Sequence, residues 1–211
     1  WPHMASHTWL LLEEMACSKK RLMHARRPSS ASPHCVAMAF SSSMLSCSSI
    51  SLSSMSSSDD VNGGLDKITL SGDINQVIGG SDVDTITVTT ASSTDHILGD
   101  NGEMNYSGAI GAEQLTSLLS HLGEAGAGDI ITLGSGDKVV IGGKGGDTVQ
   151  TTLNSIGSRI VLGDEGQLDY DANNILQSAK TTSTEGGDDI LNLGGASSSD
   201  SNIVIGGVGS L

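Results

Sequence analysis

Beyond residue 60 this chain holds little of what an ordinary protein core is made from. It has no proline after Pro33, no cysteine after Cys47 and no tryptophan after Trp9, and its only aromatics there are Tyr106 and Tyr170. Without cysteine, no disulfide holds that part of the chain together. Without large aromatic side chains, which usually dominate core burial, it must close by another device. Positive charge is scarce too: residues 61–211 carry five Lys and Arg against twenty Asp and Glu, a net of −15. Such a surface repels phosphates, so nucleic acid is not an expected partner. It favours cations, and its self-repulsion opposes compaction until the charge is neutralised. No apolar run approaches the roughly 20 residues of a membrane-spanning helix.

The first sixty residues have the opposite character. They contain all three prolines and all three cysteines, six of the seven methionines and no glycine, with a net charge of +1. Twelve serines crowd residues 41–58, and the segment 1–60 reads as low-complexity and disordered. Leu10–Leu12 is too short for the apolar core of a signal peptide. The basic residues Lys19, Lys20, Arg21, Arg26 and Arg27 read as a solvated charge run. Cys17, Cys35 and Cys47 have no paired spacing, so free thiols are favoured over a zinc site with His24 and His34. The chain opens on Trp1, which suggests a fragment of a larger protein.

What the rest of the chain does have is glycine, all 28 copies from Gly63 onward, and one phrase written three times. Gly63-Gly64-Leu65-Asp66-Lys67-Ile68-Thr69-Leu70 returns as Gly126-Ala127-Gly128-Asp129-Ile130-Ile131-Thr132-Leu133, and again as Gly186-Gly187-Asp188-Asp189-Ile190-Leu191-Asn192-Leu193. Val-Ile-Gly-Gly follows each copy at 77–80, 140–143 and 204–207, and a second matching pair stands at Ile97–Gly102 and Val161–Gly166. Within a block the period is nine: Ile68, Val77 and Ile86, then Ile131, Val140 and Val149. Two residues before these stand Asp66, Asn75 and Asp84, then Asp129, Lys138 and Asp147. The pattern predicts glycine turns alternating with strands of three or four residues, each too short to stand without stacking on its own copies. Residues 61–211 thus divide into blocks 63–102, 126–166 and 186–211.

This period resembles the RTX, or hemolysin-type, calcium-binding nonapeptide G-G-x-G-x-D-x-U-x, with U apolar, a recognised calcium-binding β-helix repeat. The resemblance implies a mainly β fold of parallel β-roll (β-solenoid) blocks, two nonapeptides to a coil, with turns eighteen residues apart stacked on one side. It implies Ca2+ held between such turns by aspartate carboxylates and glycine-turn carbonyls. Asp66 with Asp84, and Asp129 with Asp147, are eighteen apart. The implied ligand set is Asp66, Asp84, Asp129, Asp147 and Asp189, with turn positions Gly64, Gly80, Gly126, Gly128, Gly143 and Gly145. Calcium chemistry fits such donors, because the ion takes six to eight oxygens, mixing carboxylates with carbonyls. The opposite side carries Asn75 and Lys138 where the family prefers Asp, so that side is expected to hold little or no calcium. The third block is looser, and Asp189 has no partner at the expected spacing.

Between the blocks lie two excursions, expected to be short helical or loop segments. Leu115, Leu118, Leu119 and Leu122 fall at i, i+3, i+4 and i+7, which predicts an amphipathic helix capping the roll. Tyr106 and Tyr170 are placed to anchor the excursions. Asp100 and Asp164 read as turn residues. No catalytic constellation is visible: His96 and His121 belong to no nucleophile pattern, and His96 reads as a surface residue. Gly142–Gly146 lacks the Lys-Ser/Thr ending of a phosphate loop. Thr85, Thr87 and Thr89 form an ordinary strand alternation.

The expected function is therefore non-enzymatic: a calcium-binding structural repeat module of a larger extracellular or cell-surface protein, folding as the ion binds. Its remaining partners, cell-surface or glycan, would be engaged through other regions. The alternative is a metal-independent β-solenoid that presents a protein or glycan interaction surface.

Overall fold

The computed structural model describes residues 36–40, 52–57, 63–109, 112–121, 126–184, 186–194 and 199–209. They form sixteen β-strands and no helix. The two parallel sheets arise from one alternation. From Lys67–Leu70 (β3) the chain crosses to Ile74–Ile78 (β4), returns to Thr85–Val88 (β5) and crosses again to Thr94–Leu98 (β6). The same course is repeated by Ile130–Leu133 (β9), Lys138–Gly143 (β10), Thr148–Thr151 (β11) and Arg159–Asp164 (β12). Ile190–Asn192 (β15) and Asn202–Ile205 (β16) make the last crossing. Among the strands just named, the odd-numbered ones form an outer sheet in the order β3-β5-β9-β11-β15, parallel throughout. The even-numbered ones among them form a middle sheet, β4-β6-β10-β12-β16, in which they too run parallel.

The missing aromatics are replaced by stacked aliphatic files. Ile68, Ile86, Ile131 and Val149 of the outer sheet meet Val77, Ile97, Val140 and Val161 of the middle sheet in one core. On the middle strands the next residue points the other way. Ile78, Leu98, Ile141 and Leu162 belong to the second core, which is why these strands read Val-Ile, Ile-Leu or Val-Leu rather than apolar-polar. Each of those eight middle-sheet side chains is buried.

The second core is closed by a third sheet, antiparallel, built from the excursions. Gly102–Ser107 (β7) and Gln114–Ser120 (β8) form one hairpin; Gly166–Tyr170 (β13) and Leu176–Thr181 (β14) form the other, and β8 pairs with β13. The helix expected over Leu115–Leu122 is thus a strand as far as Ser120, and Leu122 lies outside the described residues. The cause is a bulge. Tyr106 opposes Leu115 while Asn105 opposes Ser117, which leaves Thr116 as the extra residue. Leu115 and Leu118 therefore share a face although three apart, imitating helical spacing, and both are buried. Tyr106 is buried in the second core and Tyr170 packs against it, which ties both excursions to the middle sheet.

Two pieces of the segment expected to be disordered are strands. Val36–Phe40 (β1) pairs antiparallel with β4, and Ser54–Ser56 (β2) pairs antiparallel with β7. Leu52 and Met55, apolar residues within the serine run, are buried in the second core. The other residues of 1–60, with the three cysteines and the basic run, lie outside the described residues, Ser53 and Ser57 apart.

Candidate functional site

The aspartates before the outer strands form a single file. Asp66 N–H donates to Asp84 Oδ1 at 2.8 Å, and Asp84 N–H to Asp129 Oδ1 at 2.7 Å. Asp129 N–H donates to Asp147 Oδ1 at 2.7 Å, and Asp147 N–H to Asp189 Oδ1 at 2.9 Å. The two eighteen-residue pairs stand in contact as the spacing indicates. Two findings go further. Asp84 meets Asp129 and Asp147 meets Asp189 across the excursions, so the pairs are one continuous row. Asp189, which sequence spacing leaves without a partner, is hydrogen-bonded within it.

Each bond uses Oδ1 and leaves Oδ2. The Oδ2 atoms of Asp84, Asp129, Asp147 and Asp189 are buried and have no hydrogen-bond partner. They face a second row, the glycine that follows the apolar pair of each middle strand. A Cβ on Gly79 would collide with Asp84 Oδ2 and the Gly99 carbonyl; on Gly99, with Asp129 Oδ2 and the Gly142 carbonyl. Gly142 stands in the same relation to Asp147 and Gly163, and Gly163 to Asp189 and Gly206. Each of these glycines thus marks a cradle where an unpartnered carboxylate oxygen and the next turn's carbonyl oxygen converge.

Such oxygens hold charge at a cost, and desolvation is the main cause. Burial raises the carboxyl of Asp84 to about 7, Asp147 to about 8 and Asp129 to about 9. Half-buried Asp189 rises to about 6. Neighbouring carboxylates add to the rise, while the donated amide bonds oppose it.

A further pair of acids was read from the sequence only as turn residues. Asp100 and Asp164 occupy the position held by a glycine in Val-Ile-Gly-Gly. Asp100 Oδ2 accepts the Lys144 amide at 2.5 Å, and its Oδ1 is buried without a partner. Desolvation raises Asp100 to about 8. Asp164 accepts the amides of Gly187 and Val208. Both stitch one turn to later ones, and the signal was their recurrence at the same place in consecutive blocks. Of the turn glycines predicted as ligands, Gly126 and Gly143 lie against the Asp100 carboxylate. Gly128 packs on the Gly146 carbonyl, and Gly145 on Ala127. The Gly80 amide donates to Gly99 O at 3.1 Å. Gly64 is half-buried, and its neighbour Gly63 makes the close approach to Ser81.

The other row of turns is built on a different principle. Asn75, Asp95, Lys138, Arg159 and Asn202 stand side by side on the middle sheet. Lys138 Nζ lies 2.9 Å from Asp95 Oδ2, with both side chains fully buried. It also donates to Ser93 O at 2.7 Å and Ser135 O at 2.6 Å. Asn75 Nδ2 donates to Asp95 Oδ1 at 2.6 Å. An ammonium surrounded by a carboxylate and two turn carbonyls neutralises this row from within. Desolvation lowers the Lys138 pKa, and Asp95 opposes that shift. Asp95 was not singled out in the sequence because it stands twenty residues from Asn75, out of phase with a nine-residue period.

His96 is half-buried rather than at the surface, with Nδ1 3.0 Å from Tyr106 Oη. Desolvation lowers its pKa to about 4, which suits a core residue.

Among the described residues no three Asp, Glu, His or Cys side chains converge as a ready metal cluster. The donors are spread along a file, one carboxylate per turn, with backbone carbonyls between. Hard oxygen donors of this kind match calcium in chemistry, and the orphaned Oδ2 atoms supply the unmet demand for positive charge. No helix among the described residues is long and apolar enough to cross a membrane. Comparison with protein-family models, with curated proteins and with solved structures found no match to this chain.

Proposed function

We propose that this chain is a calcium-binding structural repeat module of a larger secreted or cell-surface protein, folded as a parallel β-roll. The observation that carries this reading is the file of aspartates, of which Asp84, Asp129, Asp147 and Asp189 commit Oδ1 to a backbone amide and hold a buried, uncommitted Oδ2 beside a glycine cradle. Asp84, Asp129, Asp147 and Asp189 would hold the ions through Oδ2, with Asp100 Oδ1 and glycine carbonyls as further oxygens. The alternation of the chain between two parallel sheets supports the roll, because it stacks turns of like sequence. Calcium would neutralise the file and stabilise the folded chain by mass action. The module performs no catalysis in this reading.

The metal-independent alternative draws on the other row, where Lys138 supplies the cation. That observation supports metal independence on one side of the stack only and does not extend to the aspartate file. Thermal unfolding followed by circular dichroism distinguishes the readings. The calcium-binding reading expects a higher melting temperature, and no less β signal, in millimolar calcium than in chelator. Identical curves would reject it.

A further inference from the structure

The two ends of the stack are finished differently. At the first end, β1 pairs antiparallel on β4 and closes the edge of the middle sheet. At the last end, β16 and β15 are terminal strands of their sheets. The core files show what is missing there. Val77, Ile97, Val140 and Val161 are 0 % exposed, whereas Val204, next in the same file, is 46 % exposed. Leu191 and Leu193, which continue the outer-sheet files, are half-buried.

Gly206 makes the absence specific. Gly79, Gly99, Gly142 and Gly163 must be glycine because the next turn presses a carbonyl and an aspartate Oδ2 into the place of a Cβ. Gly206 is next in that row, is exposed, and has no atom of the described residues within 4 Å of the place a Cβ would take. Its backbone does not need a glycine conformation either, since its φ lies outside the left-handed region, unlike that of Gly207 at 99°. None of the described residues requires glycine there. A further turn of the same kind would require it.

We infer that the end formed by β15 and β16 is a docking surface for one further strand–turn–strand coil of the Gly-Asp repeat type. Its aspartate would accept the Asp189 amide through Oδ1 and lay Oδ2 with a turn carbonyl against Gly206. Its first apolar residue would cover Leu191, and its Val-Ile pair would cover Val204 and Ile205. The occupant is thus specified at five points: a carboxylate, a carbonyl and three apolar positions in register. Residues 126–151 of this chain contain that pattern. A second copy adding head to tail is disfavoured, because β1 closes the middle-sheet edge it would present and leaves only the β3 edge of the outer sheet open.

The test uses the full chain and a synthetic peptide of the sequence 126–151, with amide hydrogen exchange and calorimetry in both chelator and calcium. The expected result is saturable binding of one peptide per chain and slowed exchange at Asn202–Ile205. Gly206→Ala should weaken binding by about tenfold or more, because the added methyl overlaps incoming backbone. The same variant should melt like the parent in the absence of peptide, whereas Gly163→Ala, whose cradle is filled, should melt lower. Unchanged exchange at β16 in excess peptide, or equal binding by Gly206→Ala, would overturn the inference. So would a chain that dimerises through β16 without peptide, which would make a second copy the occupant. Docking concerns strand pairing, so calcium-independent peptide binding would uphold this inference while leaving the calcium reading to fail separately.

Discussion

A buried carboxylate with one uncommitted oxygen can become neutral by taking a proton or by sharing a cation, and Asp129 is the sharpest case. Its Oδ1 is needed by the Asp84 amide, while its Oδ2 is orphaned. Asp129→Asn keeps an acceptor and removes the charge. It should therefore melt at or above the parent in chelator and lose part of the calcium-induced gain. Asp129→Ala also abandons the Asp84 amide and should destabilise the chain in both conditions by about 1–3 kcal/mol. Paired thermal melts in chelator and calcium separate these outcomes; equal calcium gains for parent and Asn variant would contradict the assigned role. Lys138 gives the complementary case. Lys138→Met strands a buried Asp95, and urea titration should show a loss of about 3–5 kcal/mol that calcium does not restore.

At the scale of elements, the third sheet decides what could be read from the sequence. The eighteen-residue spacing made the Asp66–Asp84 and Asp129–Asp147 pairings legible, because nothing interrupts those coils. The Asp84–Asp129 and Asp147–Asp189 pairings were hidden, since hairpins intervene and the separations become 45 and 42 residues. The mainly β character and the parallel sheets were legible from the nine-residue alternation. The hairpin β7–β8 was not, because the bulge at Thr116 sets Leu115 and Leu118 three apart on one face. Leu119 distinguishes the two geometries: on a helix it joins the apolar stripe, whereas on β8 it is only half-buried. Leu118→Ala should therefore lower stability by about 2–5 kcal/mol, and Leu119→Ala by clearly less, in the same urea titration. Comparable losses at both positions would favour the helix. The strands β1 and β2 were missed for a related reason. They complete sheets whose other strands lie far along the chain, and a serine-rich composition conceals the burial of Leu52 and Met55.

Across the whole molecule, the five raised aspartates set a pH dependence of unusual sign. A carboxyl whose folded pKa exceeds its unfolded value binds protons more tightly when folded. Its stabilising contribution is fully present below the unfolded value of 3.8 and is lost as pH rises through the folded values of about 6 to about 9. In chelator the chain should therefore become progressively less stable between about pH 4 and pH 9, as the file and Asp100 ionise without a counter-charge. Calcium should flatten or reverse that slope, since it binds the ionised form. Melting temperature against pH, with and without calcium, checks both halves of the statement. A chelated chain that gains stability over this range would show that the file is neutralised some other way.

If the aspartate file takes up calcium as proposed, proton release tests it most directly. Near pH 7 several of these carboxyls hold protons in the metal-free chain and must surrender them to bind calcium. Calcium titration calorimetry of the full chain, repeated in buffers of different ionisation enthalpy, should show saturable binding accompanied by net proton release. Absence of a saturable heat at millimolar calcium, or binding with no proton released, would contradict it.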